Sequence, residues 1–123
     1  MGKIAWAAVT LDSSDFRKLS EFYVKLLDGK IVREFGDHGL AVGAPGTEMQ
    51  LNFQNAEGYE PPVWPEEPGK QQQMAHLDFL VDDLEEAVSR AVELGAKKAS
   101  QQFIQEIVVM LDPAGHPFCL IPR

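Results

Sequence analysis

The chain has 123 residues, with 19 Asp and Glu against 11 Lys and Arg, a formal charge of -8 and a pI near 4.7. That length makes one domain, able to bury roughly two-thirds of its unfolded surface without a structural metal, and the single cysteine excludes an internal disulfide. The charge argues against a nucleic-acid partner, because phosphate binding needs a basic face and the Lys and Arg residues are scattered singly. The apolar residues before Asp12 are too few for a signal-peptide core or a membrane span, so the expectation is a cytoplasmic protein with no membrane partner.

The first apolar run, IAWAAVTLD, reads as a strand and leads into a helix. Phe16, Leu19, Phe22, Tyr23, Leu26 and Leu27 recur at helical spacing, with Arg17, Lys18, Glu21 and Lys25 on the other face. Ser13 or Ser14 is expected to cap this helix and Gly29 to end it. KIVREF and GLAVGA read as short strands. The run EMQLNFQ then alternates, with Met49, Leu51 and Phe53 on one side and Glu48, Gln50, Asn52 and Gln54 on the other. An apolar row of this kind packs under a helix, and the polar row faces water or a cavity.

Residues 55–73 form a connector with half of the prolines, Pro61, Pro62, Pro65 and Pro68, which forbid a helix or a central strand. It carries Tyr59 and Trp64, and it reads either as a lid or as a strap with Trp64 as its packing anchor. Beyond it MAHLDFLVDD reads as a strand. A second helix follows, with Leu84, Ala87, Val88, Ala91 and Val92 as its apolar stripe, Asp82 with Glu85 as a capping box and Gly95 as terminator. KKASQQ and QEIVVML supply short strands, Asp112-Pro113-Ala114-Gly115 a turn, and the closing segment a last strand in which Phe118 and Leu120 oppose Cys119 and Ile121.

The two halves match in order and type, which points to duplication of one unit. Laid on each other, Ala8 falls on His76, Asp15 on Asp83 and Gln50 on Cys119. The expected fold class is α+β, two βαβββ modules at about 1–54 and 74–123, with helices on the convex side and a concave, partly polar cavity. Strand parity puts Trp6, Ala8 and Thr10, then Gln50 and Asn52, then His76, Asp78 and Cys119 on the cavity side.

Each of these residues has two readings. His76 is a general base oriented by Asp78 or a histidine that orders the pocket, and residues two apart on a strand stand roughly 6.5–7 Å from each other, too far for a direct hydrogen bond in many rotamers. Cys119 is a nucleophile only if its pKa is lowered, and a cysteine in FCLI is more often a small buried hydrophobe. His116 reads as a surface histidine flanking the turn. Trp6 lines the cavity floor or fills a dimer contact.

The doubled layout, DFRKLSEFYVKLLDGKIV, HLDFLVDDLEEAVSRAVELGA and the closing LDPAGHPFCL resemble the vicinal oxygen chelate superfamily, which includes glyoxalase I, extradiol dioxygenases, fosfomycin-resistance enzymes and bleomycin-binding proteins. The closest group is that of glyoxalase-like domain proteins, and the resemblance spans essentially the whole chain. It implies the doubled fold and twofold pairing of units, hence a homodimer. It does not imply one reaction, since this scaffold hosts many. In metal-using members, ligands sit at four concave positions. Here His76 matches one, Ala8 offers no donor, and Gln50 and Cys119 stand where glutamates are common, with Glu48 and Asp78 on the same faces.

The expectation is therefore a protein that binds a small organic molecule without metal or other cofactor, its pocket lined by Trp6, Ala8, Gln50, Asn52, Trp64, His76, Asp78 and Cys119. The alternative is a metal-dependent lyase, isomerase or dioxygenase using His76, with a divalent ion as cofactor.

Overall fold

A computed structural model of the protein describes residues 2–123. The chain divides into two compact units, one ending at Tyr59 and the other starting at Glu60. Each is a β-α-β-β-β module carrying a four-stranded sheet, as the repeat in the sequence requires. No helix among the described residues is long and apolar enough to cross a membrane.

In the first unit β1 (Ala8–Ser13) leads into α1 (Phe16–Leu27), followed by β2 (Lys30–Glu34), β3 (Gly39–Gly43) and β4 (Gln50–Asn55). The sheet order is β1-β4-β3-β2, with β1 parallel to β4 and the other pairs antiparallel. The helix buries Phe16, Leu19, Phe22 and Tyr23. Tyr23 stacks on Phe53 of β4 with ring centroids 5.6 Å apart, which is the contact the alternation of EMQLNFQ anticipates for Phe53. Met49 does not share it. It precedes β4 and is exposed, because the strand starts two residues later than the alternation suggests.

The cap of α1 also differs from expectation. Strand β1 runs through Ser13, which is buried inside it, so the residue before the first helical turn is Asp15 and its carboxylate accepts from the Lys18 N–H. Asn55, at the end of β4, accepts from the Phe16 N–H at 2.8 Å and ties the helix start to the sheet. At the other end Asp28, not Gly29, takes the left-handed conformation, and the Gly29 N–H closes onto Val24 O. Asp reaches this region at lower cost than most side chains.

In the second unit β5 (Leu77–Val81), α2 (Leu84–Leu94), β6 (Lys97–Lys98), β7 (Val108–Leu111) and β8 (Pro117–Pro122) follow in the same order. The sheet runs β5-β8-β7-β6 with β5 parallel to β8. Phe118, Leu120 and Met110 are its most buried apolar side chains, and the Phe118 ring meets Phe79 edge-on at 5.9 Å. Asp83, not Asp82, caps α2 and accepts from the Glu86 N–H, while Gly95 terminates the helix as expected. Asp15 and Asp83, paired by the internal repeat, are thus the caps of the two helices. Replacing either by alanine is expected to cost about 1 kcal/mol in a urea titration.

From Glu60 onward the connector packs within the second unit. A Cβ on Gly115, at φ 90°, would lie 2.8 Å from Pro61 Cβ, so only glycine lets the connector approach the β7–β8 turn this closely. Trp64 packs against the cluster of Ala99, Val109 and Cys119, and the Val63 N–H donates to Gln71 O. Those contacts are those of a strap anchored by its tryptophan.

Candidate functional site

The register of the parallel strands decides which positions of the two modules correspond. Ala8 pairs with Gln50 and Thr10 with Asn52 in the first unit, whereas Asp78 pairs with Cys119 in the second. With Thr10 equivalent to Asp78, the counterpart of Cys119 is Asn52 and not Gln50. The shift is two residues, so the sequence alignment of the halves kept the right face and missed the level along the strand.

On the second unit the structure brings three of the expected residues together. His76 Nε2 lies 3.3 Å from Asp78 Oδ1, with both side chains substantially exposed. The spacing expected for an ideal strand does not apply, because His76 precedes β5 and its side chain is free to lean along the strand toward Asp78. The ligating atoms of His76, Asp78 and Cys119 all lie within 4.8 Å of one another, the one such group of three among the described residues. Burial pushes the Cys119 thiol up to about 11, and the Asp78 carboxylate, as a neighbouring charge and as acceptor of the S–H, pushes it the same way. Cys119 is a buried thiol in an apolar cluster, unsuited to act as a nucleophile near neutral pH.

Two aromatic rings flank this group. Trp64 meets His76 edge-on at 6.1 Å and Phe103 at 5.9 Å. Phe103 is 62% exposed and was not singled out from the sequence, although an adjacent Phe103–Ile104 pair in the polar stretch QQFIQE is a readable signal. Gln102 pins the stretch: its amide donates to Ala99 O and Val109 O and accepts from the Val109 N–H. His116 is half-buried, not on the surface, with its backbone N–H on the Asp112 carboxylate that orders the turn.

The first unit holds a cavity of about 310 Å³, lined in part by Thr10, Phe35, His38, Leu40, Asn52 and Gln54. Its far wall exists because of Gly39. A Cβ there would meet Phe53 O at 2.1 Å, and φ is 155°, so the β2–β3 loop reaches the backbone of β4 only through a residue without a side chain. Asn52 Oδ1 is buried with no hydrogen-bond partner, a state that costs about 1–3 kcal/mol. Gln54 is held otherwise, its Nε2 donating to Asp12 Oδ1 at 2.8 Å. Of the remaining expected residues, Ala8 and Gln50 are half-buried neighbours at the start of β1 and β4, and Trp6 lies before β1, 83% exposed. Phe35 and His38 were missed in the sequence, because their part depends on a loop reaching a strand far along the chain.

A glyoxalase-like domain family model matches residues 8–121, and the chain belongs to that family. Its fold is that of the glyoxalase, bleomycin resistance and dioxygenase proteins. Among solved structures it is similar to TnmS3, an antibiotic-binding protein from Streptomyces sp. CB03234, with 20% identity, a TM-score of 0.66 and coverage of 99% of this chain and 98% of that one. It is also similar to the fosfomycin resistance protein FosX from Listeria monocytogenes, with 14% identity, a TM-score of 0.71 and coverage of 100% and 92%. A glyoxalase family protein from Enterococcus faecalis matches with 22% identity, a TM-score of 0.64 and coverage of 96% and 95%. No curated protein sequence matches the chain.

A solved structure of similar fold, the E126Q mutant of FosX from Listeria monocytogenes, is a complex with Mn(II), so the donor set has to be tested against an ion. On the second unit His76, Asp78 and Cys119 would be its three donors. Donors around a tetrahedral ion close to roughly 3.3–3.8 Å from each other. Here His76 and Asp78 stand at 3.3 Å and Cys119 lies within 4.8 Å of both, and the described residues add no fourth His, Cys or carboxylate to the group. At the equivalent positions of the first unit, Ala8, Thr10 and Asn52 supply no anion.

Proposed function

We propose that the chain binds a small organic molecule, as a sequestering, carrier or resistance protein, and that it does so without a metal. The observation that carries this reading is the cavity of the first unit, lined among others by Asn52, whose buried Oδ1 has no partner inside the protein. Pockets of this size that combine apolar walls with a few placed polar groups are the usual form of a small-molecule site. The similarity in fold to an antibiotic-binding protein supports the same reading. The groups around His76 serve it as a second polar surface, with Asp78 and the Trp64 and Phe103 rings available to a ligand and Cys119 held as packing. Trp6, Ala8 and Gln50 remain the outer members of the proposed set.

A fragment screen by protein-observed NMR, using neutral, cationic and anionic small organics, is expected to move resonances of Thr10, Asn52 and the loop at 35–39. No perturbation there from any fragment would end this reading. His76→Ala is expected to cost about 1 kcal/mol or less in stability, because its side chain is exposed.

The second reading, a metal-dependent lyase, isomerase or dioxygenase using His76, draws on the proximity of the three donors. Protein purified without chelator is expected to carry substoichiometric zinc, nickel, manganese and iron. Stoichiometric metal lost together with His76→Ala would put the second reading in place of the first. A cytoplasmic homodimer completes the proposal, supported by the exposed Ile4 and Trp6 ahead of β1. A monomer in light scattering at tens of micromolar would remove it.

A further inference from the structure

The cavity of the first unit has a chemistry specific enough to name its ligand class. Three of its lining groups are neutral and hydrogen-bonding: the Thr10 hydroxyl and the carboxamides of Asn52 and Gln54. Thr10 and Asn52 are register partners on adjacent parallel strands, so their side chains stand beside each other on one face of the sheet. Gln54 is oriented by its bond to Asp12, which engages that carboxylate and leaves the Gln54 carbonyl oxygen as a further acceptor. Phe35 supplies an aromatic wall whose ring is braced by the Arg33 guanidinium, 5.0 Å from its centroid. Leu40 adds an apolar side.

The contrast with the second unit sharpens this. There the equivalent pair, Asp78 and Cys119, is internally satisfied, thiol to carboxylate. Here the pair is Thr10 and Asn52, and Asn52 Oδ1 has no partner. The torsion that aims a carboxamide is soft, so rotation about it is the route by which the Asn52 edge would be presented to the cavity the residue lines. A carboxamide presents a carbonyl oxygen and an N–H side by side along one edge. Its complement is a molecule that presents N–H and C=O in the same cis order, which is the edge of a cyclic amide.

We propose that the first unit binds a neutral, planar cyclic amide or imide, its cis N–H and C=O pairing edge to edge with the Asn52 carboxamide and its ring lying against Phe35. The inference rests on the small-molecule reading above and adds the ligand class and the residue that selects it. A charged ligand is disfavoured, since no lining side chain is a fixed charge and His38 stands exposed at the rim. Desolvating an ion against amides and a phenyl ring has no compensating partner.

The test uses the whole chain, labelled with nitrogen-15, and two probes that differ by one methyl group, 2-pyridone and N-methyl-2-pyridone. Addition of 2-pyridone at millimolar concentration is expected to shift the Asn52 side-chain amide and the Gly39 and Leu40 backbone amides. N-methylation removes the donor and is expected to weaken binding about tenfold or more, the effect of one hydrogen bond with its acceptor left buried. Asn52→Leu is expected to weaken 2-pyridone to the level of its methylated analogue. Phe35→Ala, at a position 41% exposed and outside the core, is expected to weaken both probes alike. Equal binding of the two probes to the wild type would overturn the cyclic-amide inference and leave the small-molecule reading standing. So would binding of other fragments in the cavity where 2-pyridone fails. Silence from every fragment would overturn both.

Discussion

Phe118→Ala is expected to lower the stability of the protein by about 3–5 kcal/mol, the usual cost of emptying an aromatic core position. Phe118 has no exposed surface, sits in β8 between β5 and β7, and meets Phe79 edge-on. Deleting the ring removes its transfer free energy and leaves a void beneath a short helix. That helix has little to close the gap with, since Ala91 is its one buried residue and Val92 is 49% exposed. A net stability of roughly 5–15 kcal/mol makes such a loss severe. Urea titration followed by circular dichroism measures it, with His76→Ala as the comparison. Were His76→Ala the more damaging of the two, the faces of the second sheet would be assigned the wrong way round.

The second large effect concerns Cys119. A thiol at its ordinary pKa of 9.0 is a thiolate in roughly one molecule in a hundred at pH 7, and one at about 11 in roughly one in ten thousand, so alkylation is expected to be about 100-fold slower than for an unperturbed cysteine. Burial of the sulfur adds to the protection. Mass spectrometry of iodoacetamide adducts against pH reads the rate. Asp78→Asn removes the carboxylate that holds the thiol proton and is expected to accelerate labelling. A slower rate in that variant would show that the carboxylate acts with the opposite sign. The linkage to stability has a defined direction. Because the folded state raises the thiol's pKa above its ordinary 9.0, the neutral thiol contributes stability fully below pH 9, and that contribution is lost as pH rises toward about 11.

Sequence reading reached furthest where two faces of an element differ in chemistry. Leu51 and Phe53 are buried and Asn52 and Gln54 are not, because β4 has a helix on one side. At β8 the parity holds but burial does not report it: Phe118, Cys119 and Leu120 are all buried because both faces are covered, yet Cys119 lies beside His76 and Asp78 while Phe118 meets Phe79. Cap positions were misread by one or two residues for a local reason. Ser13, Ser14 and Asp15 can each cap, and the length of β1 chooses among them.

The site was less legible than the fold. His76 and Asp78 touch because His76 lies just outside regular strand geometry, which no periodicity reveals. The cavity of the first unit depends on the β2–β3 loop meeting a strand more than ten residues later, a tertiary event with one local trace, the glycine at 39. Asn52 was placed on the right face, while its lack of a partner depends on neighbours that only the folded chain brings near.

Gly39 has a practical corollary for protein engineering. The loop ahead of it is held at both ends, by the backbone approach to Phe53 and by the Phe35 N–H on Gly39 O. Between those anchors Asp37 and His38 are exposed and pack under nothing, whereas Gly36 needs its left-handed φ of 64°. A combinatorial library confined to positions 37 and 38 would therefore resculpt the mouth of the cavity while the strand pairing stayed in place. The same diversity at position 39 would return mostly misfolded chains.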